Sequence, residues 1–467
     1  MDLGHLNFGF WICLGFGAWD LVLRSRGGLI VPLVLFACGP AAWAAEDSAD
    51  ASFQLVAGLL GDKDAQVRAV GLQYVRAAAK GETATRRFAA MLPNLSPNVQ
   101  VELLGALADR GDRAARPQVL AMLASREGPV RAAAVAALGP LGEAADVPAL
   151  AAALAAAGTA EKAAARQSLS RLRDPRTNAA IAAAFAKASP ETRAALLDVL
   201  AARNATDATD TVLAAAEDPE ARVRTAALGA LRVLADPGRT AAIVKLLRTA
   251  HSDADRGRVE AALMAVCGRG GPACCAAVRN GMTGAAGPVR VALLRALARA
   301  GGGEVLQDIL AATRDDDPPT RDEAVRQLAA WPERTAVPHL LAMARQPEPL
   351  RYHALAVAGL ARLAGPLPGQ PADLALLAEI LKLARRPEEK RAVLGVLGGI
   401  AAPEALALVL PAIDDAELAD EAAVAALGIA EKLPKLEVAR RRAVAQKVLA
   451  RSQSPAIRAR AETLLAP

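Results

Sequence analysis

Metal, nucleophilic and acid–base chemistry would have to come from very few residues of this chain. Its histidines are His5, His251, His339 and His353. No His-Glu pair occurs, and no two histidines are spaced to meet a metal from one face of a helix. Cys267, Cys274 and Cys275 stand on either side of the run Gly268-Arg269-Gly270-Gly271-Pro272. In an oxidising compartment two of them would form a disulfide and leave the third free; three buried thiols are the other reading. A metal site would need a fourth ligand, and His251 is the only histidine close in sequence. His251 itself follows the end of an expected helix, where a solvated or capping imidazole is ordinary. No C-x-x-C-H haem motif, nucleotide-binding glycine pattern or G-x-S-x-G elbow is present. No catalytic, cofactor-binding or metal-binding residue is assigned, and no cofactor is expected.

Two residue sets have types and spacing suited to binding. Trp331, His339, Tyr352 and His353 form the densest aromatic group after residue 44, and Trp and Tyr are common interface anchors. Trp331, however, falls on the slot that Leu234 holds in a parallel stretch, which is a core slot. The second set is Arg68, Arg131, Arg193, Arg224, Arg290 and Arg321, each directly after a Val or Thr. Aligned, these arginines would make an anion-binding strip. Paired with turn acids such as Asp218 or Asp317 of adjacent units, they would be scaffold, and that is the reading adopted.

The elements that position these residues are helices. Glu217–Ala250 reads as two antiparallel helices, the first opened by Asp218 or Pro219. Val223, Ala226, Ala227, Leu231 and Leu234 recur at intervals of three and four, on one face of a helix. Asp236-Pro237-Gly238 is a turn, and Ile243, Leu246, Leu247 and Ala250 make a second apolar stripe. Two such helices cannot bury both stripes alone. Val-Arg recurs at 67–68, 130–131, 223–224 and 289–290, and Thr-Arg at 192–193 and 320–321, giving a period near 31 residues. From about residue 52 onward the chain therefore reads as an all-α solenoid superhelix of about 13 helix pairs. Strand-like alternation is absent. Gly365 to Pro371 lengthens one connection without ending the array, and the segment Ile457 to Leu465 closes it.

The pattern D-P-x-x-x-V-R-x-A-A-x-x-A-L-G-x-L, seen from Asp218 to Leu234 and from Pro129 to Leu141, resembles the HEAT repeat, in particular the short bacterial type described as HEAT-like lyase repeats. The resemblance implies an armadillo-like helical fold whose concave surface binds a protein or peptide. It also offers enzyme precedents in HEAT-like bilin lyases and alkylbase glycosylases, and a role as accessory subunit of a larger secreted complex. HEAT-like di-iron hydroxylases rest on His-Glu dyads, which this sequence lacks.

A net charge of +6 over 467 residues is a mild excess. Without clustering on one face, it does not point to nucleic acid. Residues 1–44 differ from the rest and hold Phe8, Phe10, Trp11, Phe16, Trp19, Phe36 and Trp43, more than half of the chain's aromatics. Arg24 and Arg26, the apolar run from Leu29 to Ala37 and Ala42-Trp43-Ala44 have the layout of a secretory signal peptide cleaved after Ala44. The apolar run is too short to span a bilayer as a helix. Three fates are open: soluble export to the periplasm or the medium, a lipid anchor at Cys38 through the lipobox-like Leu35-Phe36-Ala37-Cys38, or an uncleaved anchor. Residues 1–22 are superfluous to such a signal and read as an over-extended start. Residues 45–467 are expected to be a scaffold with no membrane span and no enzymatic activity of its own.

Overall fold

The computed structural model describes residues 20–21, 33–34, 44–77, 81–346, 348–433 and 438–465. Arg24, Arg26, Cys38 and Ala42-Trp43, on which the export expectation rests, lie outside them. Asp20–Leu21 pairs antiparallel with Leu33–Val34; beyond it, the only β pairing among the described residues is a bridge between Leu367 and Gln370. The other described residues are helix, turn and short connection, as the period of the apolar pattern requires.

In the repeat used above, the first helix runs Ala221–Leu234 and buries Val223, Ala227, Leu228, Ala230, Leu231 and Leu234. It starts later than Asp218 or Pro219. Asp218 stands just ahead of the start, where its Oδ1 accepts from the Glu220 N–H at 2.9 Å and its Oδ2 receives the Arg193 guanidinium. A 3₁₀ turn, Pro237–Arg239, follows, with Asp236 accepting from the Gly238 N–H. The second helix, Thr240–Arg248, buries Ile243, Val244, Leu246 and Leu247. Four other α-helix starts carry a Ser or Asp side-chain cap. Ser189 accepts from Thr192, Ser252 from Asp255, Asp317 from Thr320 and Asp373 from Leu376.

The contacts divide the chain into two units, Met1–Gly142 and Glu143–Pro467. The helices of the first are Ala44–Leu60, Ala65–Ala77, Glu82–Ala89, Pro97–Arg110, Arg116–Ala121 and Gly128–Leu141. Phe53 stacks on Phe88 with centroids 4.5 Å apart, and Tyr74 meets Phe88 edge-on at 6.4 Å. Three aromatics scattered in sequence thus form one packed cluster.

In the second unit the helices bearing the arginine ladder and its continuation stack in order. Pro190–Ala202, Ala221–Leu234, Asp253–Gly270, Gly287–Ala300, Pro318–Ala329, Leu350–Ala364, Pro387–Leu397 and Ala419–Lys432 each pack on the next. The helices between them form a second layer. Small residues set the spacing of the first layer. A Cβ on Gly359 would lie 2.7 Å from the Ala329 carbonyl oxygen, and one on Gly398 would lie 2.9 Å from the Ala425 Cα. Backbone approach this close admits only glycine. Asp253–Met282 is long and apolar enough in composition to cross a membrane. Here it is broken by a 3₁₀ turn at Gly271–Cys274 and turns Val259, Leu263 and Val266 into the core of the stack.

Candidate functional site

At least four of the six ladder arginines take a carboxylate from a later repeat. Arg68 meets Glu102 at 3.0 Å, Arg193 meets Asp218, Arg224 meets Asp255 at 3.1 Å and Arg290 meets Asp315 at 2.7 Å. Arg131 donates to the carbonyls of Ser125 at 2.9 Å and Arg126 at 3.0 Å. Arg321 donates to the Asp315 carbonyl at 2.6 Å. Asp317 is not an arginine partner as expected: its Oδ2 accepts from the Thr320 N–H and hydroxyl at the start of the next helix. Asp315 takes the pairing role. Burial opposes its charge, but the Asp317 N–H and the Arg290 guanidinium outweigh that and hold its carboxyl below the usual range.

The histidines and aromatics expected to act together are divided by the fold. Trp331 is 3% exposed and belongs to the core. Its carbonyl oxygen accepts from Arg362, and it does not reach the groove described below. His353 is buried as well. Its Nδ1 lies 2.9 Å from the Ala344 carbonyl oxygen, and its Nε2 lies 3.3 Å from Glu389 Oε2 without hydrogen-bond alignment. A carbonyl can only accept, so Nδ1 carries a proton. Glu389 is equally buried, and burial opposes its charge; even so the N–H groups of Arg385 and Arg386, the Arg386 guanidinium and His353 hold its carboxyl below the usual range. The pair ties the Leu350–Ala364 helix to the Pro387–Leu397 helix. His251 is exposed in the connection before Asp253.

His339 and Tyr352 do come together. They line a groove of about 780 Å³ between the repeat Gly303–Ala312/Pro318–Ala329 and the repeat Val337–Ala344/Leu350–Ala364, and His353 borders the same groove from its buried position. His339 is exposed on one wall, and Met343 lies one turn further along the same helix. The Tyr352 hydroxyl donates to Asp322 Oδ1 at 2.5 Å, and Arg351 pairs with the same carboxylate at 2.8 Å while lying over the Tyr352 ring. Arg314 and Arg321 bring two further guanidinium groups to the lining, and Gln307 and Gln346 bring amides. Glu348, on the rim, accepts from the Leu350 N–H. Arg314, Met343 and Gln346 were not picked out from sequence. Single Arg, Met and Gln residues on a helical array carry no signal until the repeats are superposed.

Cys267, Cys274 and Cys275 are free buried thiols, with no disulfide between any two. Burial, then the neighbouring Cys274, pushes the Cys267 thiol up to about 12. Among the described residues no group of three or more His, Cys, Asp or Glu side chains has a metal-holding arrangement.

The chain matches the family model of HEAT repeats over residues 84–170, 177–266 and 276–361, more than half of its length. It belongs to the HEAT-repeat family. Among solved structures it is similar to Kap121p bound to Ste12p, with a TM-score of 0.51 and 14% identity over 91% of this chain and 53% of that one. It is similar to the same degree to the karyopherin Kap121p bound to the extreme C-terminus of the protein phosphatase Cdc14p, at TM-score 0.51 and 14% identity over 91% and 54%. The chain spans about half the length of the structures it matches, and at this identity the likeness is one of fold. No curated protein sequence matches it.

Proposed function

We propose that this chain is an exported HEAT-repeat scaffold that binds a protein or peptide and has no catalytic activity of its own. One observation carries the reading: the groove between the repeats at 303–329 and 337–364 is open, about 780 Å³ in volume and lined by Tyr, Met, Arg and His side chains. Tyr, Met and Arg are the residue types enriched where proteins meet. The groove takes residues from both helix layers. Support at the level of fold comes from Kap121p, whose structures include complexes with Ste12p, Nup53p and the Cdc14p C-terminus.

The decisive experiment is affinity capture from envelope extracts of the native host, followed by calorimetry of the purified chain with each captured protein. A saturable complex supports the scaffold reading. Turnover of a substrate by the purified chain in a broad hydrolase and lyase screen would sink it. Export rests on Arg24, Arg26, the apolar run and Ala42-Trp43-Ala44. N-terminal sequencing of the protein from its host should begin at Ala45, whereas a lipid-bearing Cys38 would mean an anchored form and an intact upstream segment would refute processing.

A further inference from the structure

The carboxylate that a ladder arginine takes from a later repeat comes from a small set of offsets. Arg193–Asp218 and Arg290–Asp315 are 25 residues apart, Arg224–Asp255 is 31 apart and Arg68–Glu102 is 34 apart. At Arg321 those offsets hold Gln346, Tyr352 and Leu355, none of them acidic. The Tyr352 hydroxyl is already committed to Asp322. The Arg321 side chain is left with the Asp315 carbonyl, which engages Nη1 alone. Among the described residues no carboxylate lies within ion-pair distance of it. Arg321, Gln346 and Tyr352 all line the 780 Å³ groove, so the missing acid corresponds to open space. Arg314 stands in the same lining, exposed and likewise without an ion-pair partner among the described residues. Arg351, by contrast, is held by Asp322. Glu348 is the one acid in the lining and is turned to its own backbone.

We infer that this groove binds an acidic peptide segment of a partner protein, whose carboxylates occupy Arg321 and Arg314 in place of the acid that the repeat lacks. This rests on the scaffold reading above and names the partner's chemistry. Two guanidinium groups offer paired N–H donors to carboxylates. Exposed His339, with half-buried Met343 and Tyr352, gives the apolar and aromatic surface on which an extended segment can lie. Unlike a ladder pair inside the stack, Arg321 gains a carboxylate at this site only when a ligand is present.

The test uses the full purified chain and a fluorescein-labelled Glu/Ala-rich peptide. Its controls are the same peptide with Gln for every Glu and a labelled oligo-dT. Anisotropy should show saturable binding of the Glu peptide that weakens with salt, with the Gln peptide about tenfold weaker or worse. Arg321→Gln should lower affinity by about tenfold. Gln346→Glu is the sharper variant. It restores the acid at the offset used by Arg193 and Arg290, so Arg321 becomes occupied from within and affinity for the Glu peptide should fall comparably. Because it adds a partner at an exposed position, its melting temperature should hold or rise. Equal binding by Gln346→Glu and wild type, equal binding of the Glu and Gln peptides, preference for oligo-dT, or no binding of the Glu peptide would each overturn the proposal. If Arg321→Gln and Gln346→Glu left a captured partner's affinity unchanged, the groove assignment would fall while the scaffold reading stood.

Discussion

Leu231→Ala measures how far a defect travels along the array. Leu231 is fully buried in the Ala221–Leu234 helix, which packs against Pro190–Ala202 on one side and Asp253–Gly270 on the other. Truncation removes three methylene-sized groups and leaves a cavity between three helices. Buried Leu→Ala changes cost about 2–5 kcal/mol, and the upper half applies where neighbours cannot collapse. Here the flanking helices are themselves held by the next ones, while Arg193–Asp218 and Arg224–Asp255 fix their registers. About 3–5 kcal/mol is therefore expected. Each repeat touches mainly its neighbours, so the loss should be local. In hydrogen exchange followed by mass spectrometry, amides from about residue 190 to 285 should exchange faster, while those around Ile457 stay near wild type. Uniform loss of protection from Glu143 to Leu465 would refute nearest-neighbour coupling and make the second unit a single cooperative block.

Asp255→Asn strips the carboxylate from a pair whose side chains are 11% and 5% exposed and strands the Arg224 guanidinium; it should cost about 3–5 kcal/mol in urea denaturation, and a loss below 1 kcal/mol would show the pair to be ornamental. Glu389 has a folded carboxyl held below its unfolded value near 4.3, so its contribution is present above that pH and is lost as pH falls through the folded value. Glu389→Gln should therefore flatten the fall of the urea midpoint below about pH 5 relative to wild type, and parallel curves would contradict this. Cys267, Cys274 and Cys275 are buried, and burial pushes the Cys267 thiol up to about 12, so iodoacetamide at pH 8 should label none of them in the native chain and all three in denaturant, by peptide mapping; rapid native labelling would be inconsistent with the burial.

The fold was legible because the repeat is redundant. Placing the start at Asp218 or Pro219 moves one helix end by two to three residues, but the three-and-four spacing from Val223 to Leu234 still places the buried face. The site was legible only in part, for reasons that are physical. Asp315, Asp316 and Asp317 look alike in sequence; the geometry of a helix N-terminus takes the last as a cap and leaves the first to pair with Arg290. Trp331, His339, Tyr352 and His353 are close in sequence, but the helical period sends Trp331 and His353 inward and His339 outward. The Glu389 partner of His353 lies 36 positions on and meets it only because consecutive helices of the first layer pack side by side. Proximity along the chain says little about meeting in an array; the offset to the next repeat says much more.

That offset also decides what a recurring arginine is for. A guanidinium on the stack must find donors' partners wherever it is screened from water, and most ladder positions find them in the next repeat. Where a pair is closed, as in Arg224–Asp255, replacing either member leaves the other stranded, and the position is bound to stability. Where the acid is absent and the guanidinium opens on a groove, as at Arg321, hydration keeps the charge tolerable without a partner. A ligand can then displace that water and form a charge-assisted contact the fold does not need. Scaffold and binding roles thus belong to the same residue type at the same place in the repeat. What separates them is whether a later repeat supplies a carboxylate: Asp218, Asp255 or Asp315 does so in one case, and Gln346 stands at such an offset in the other.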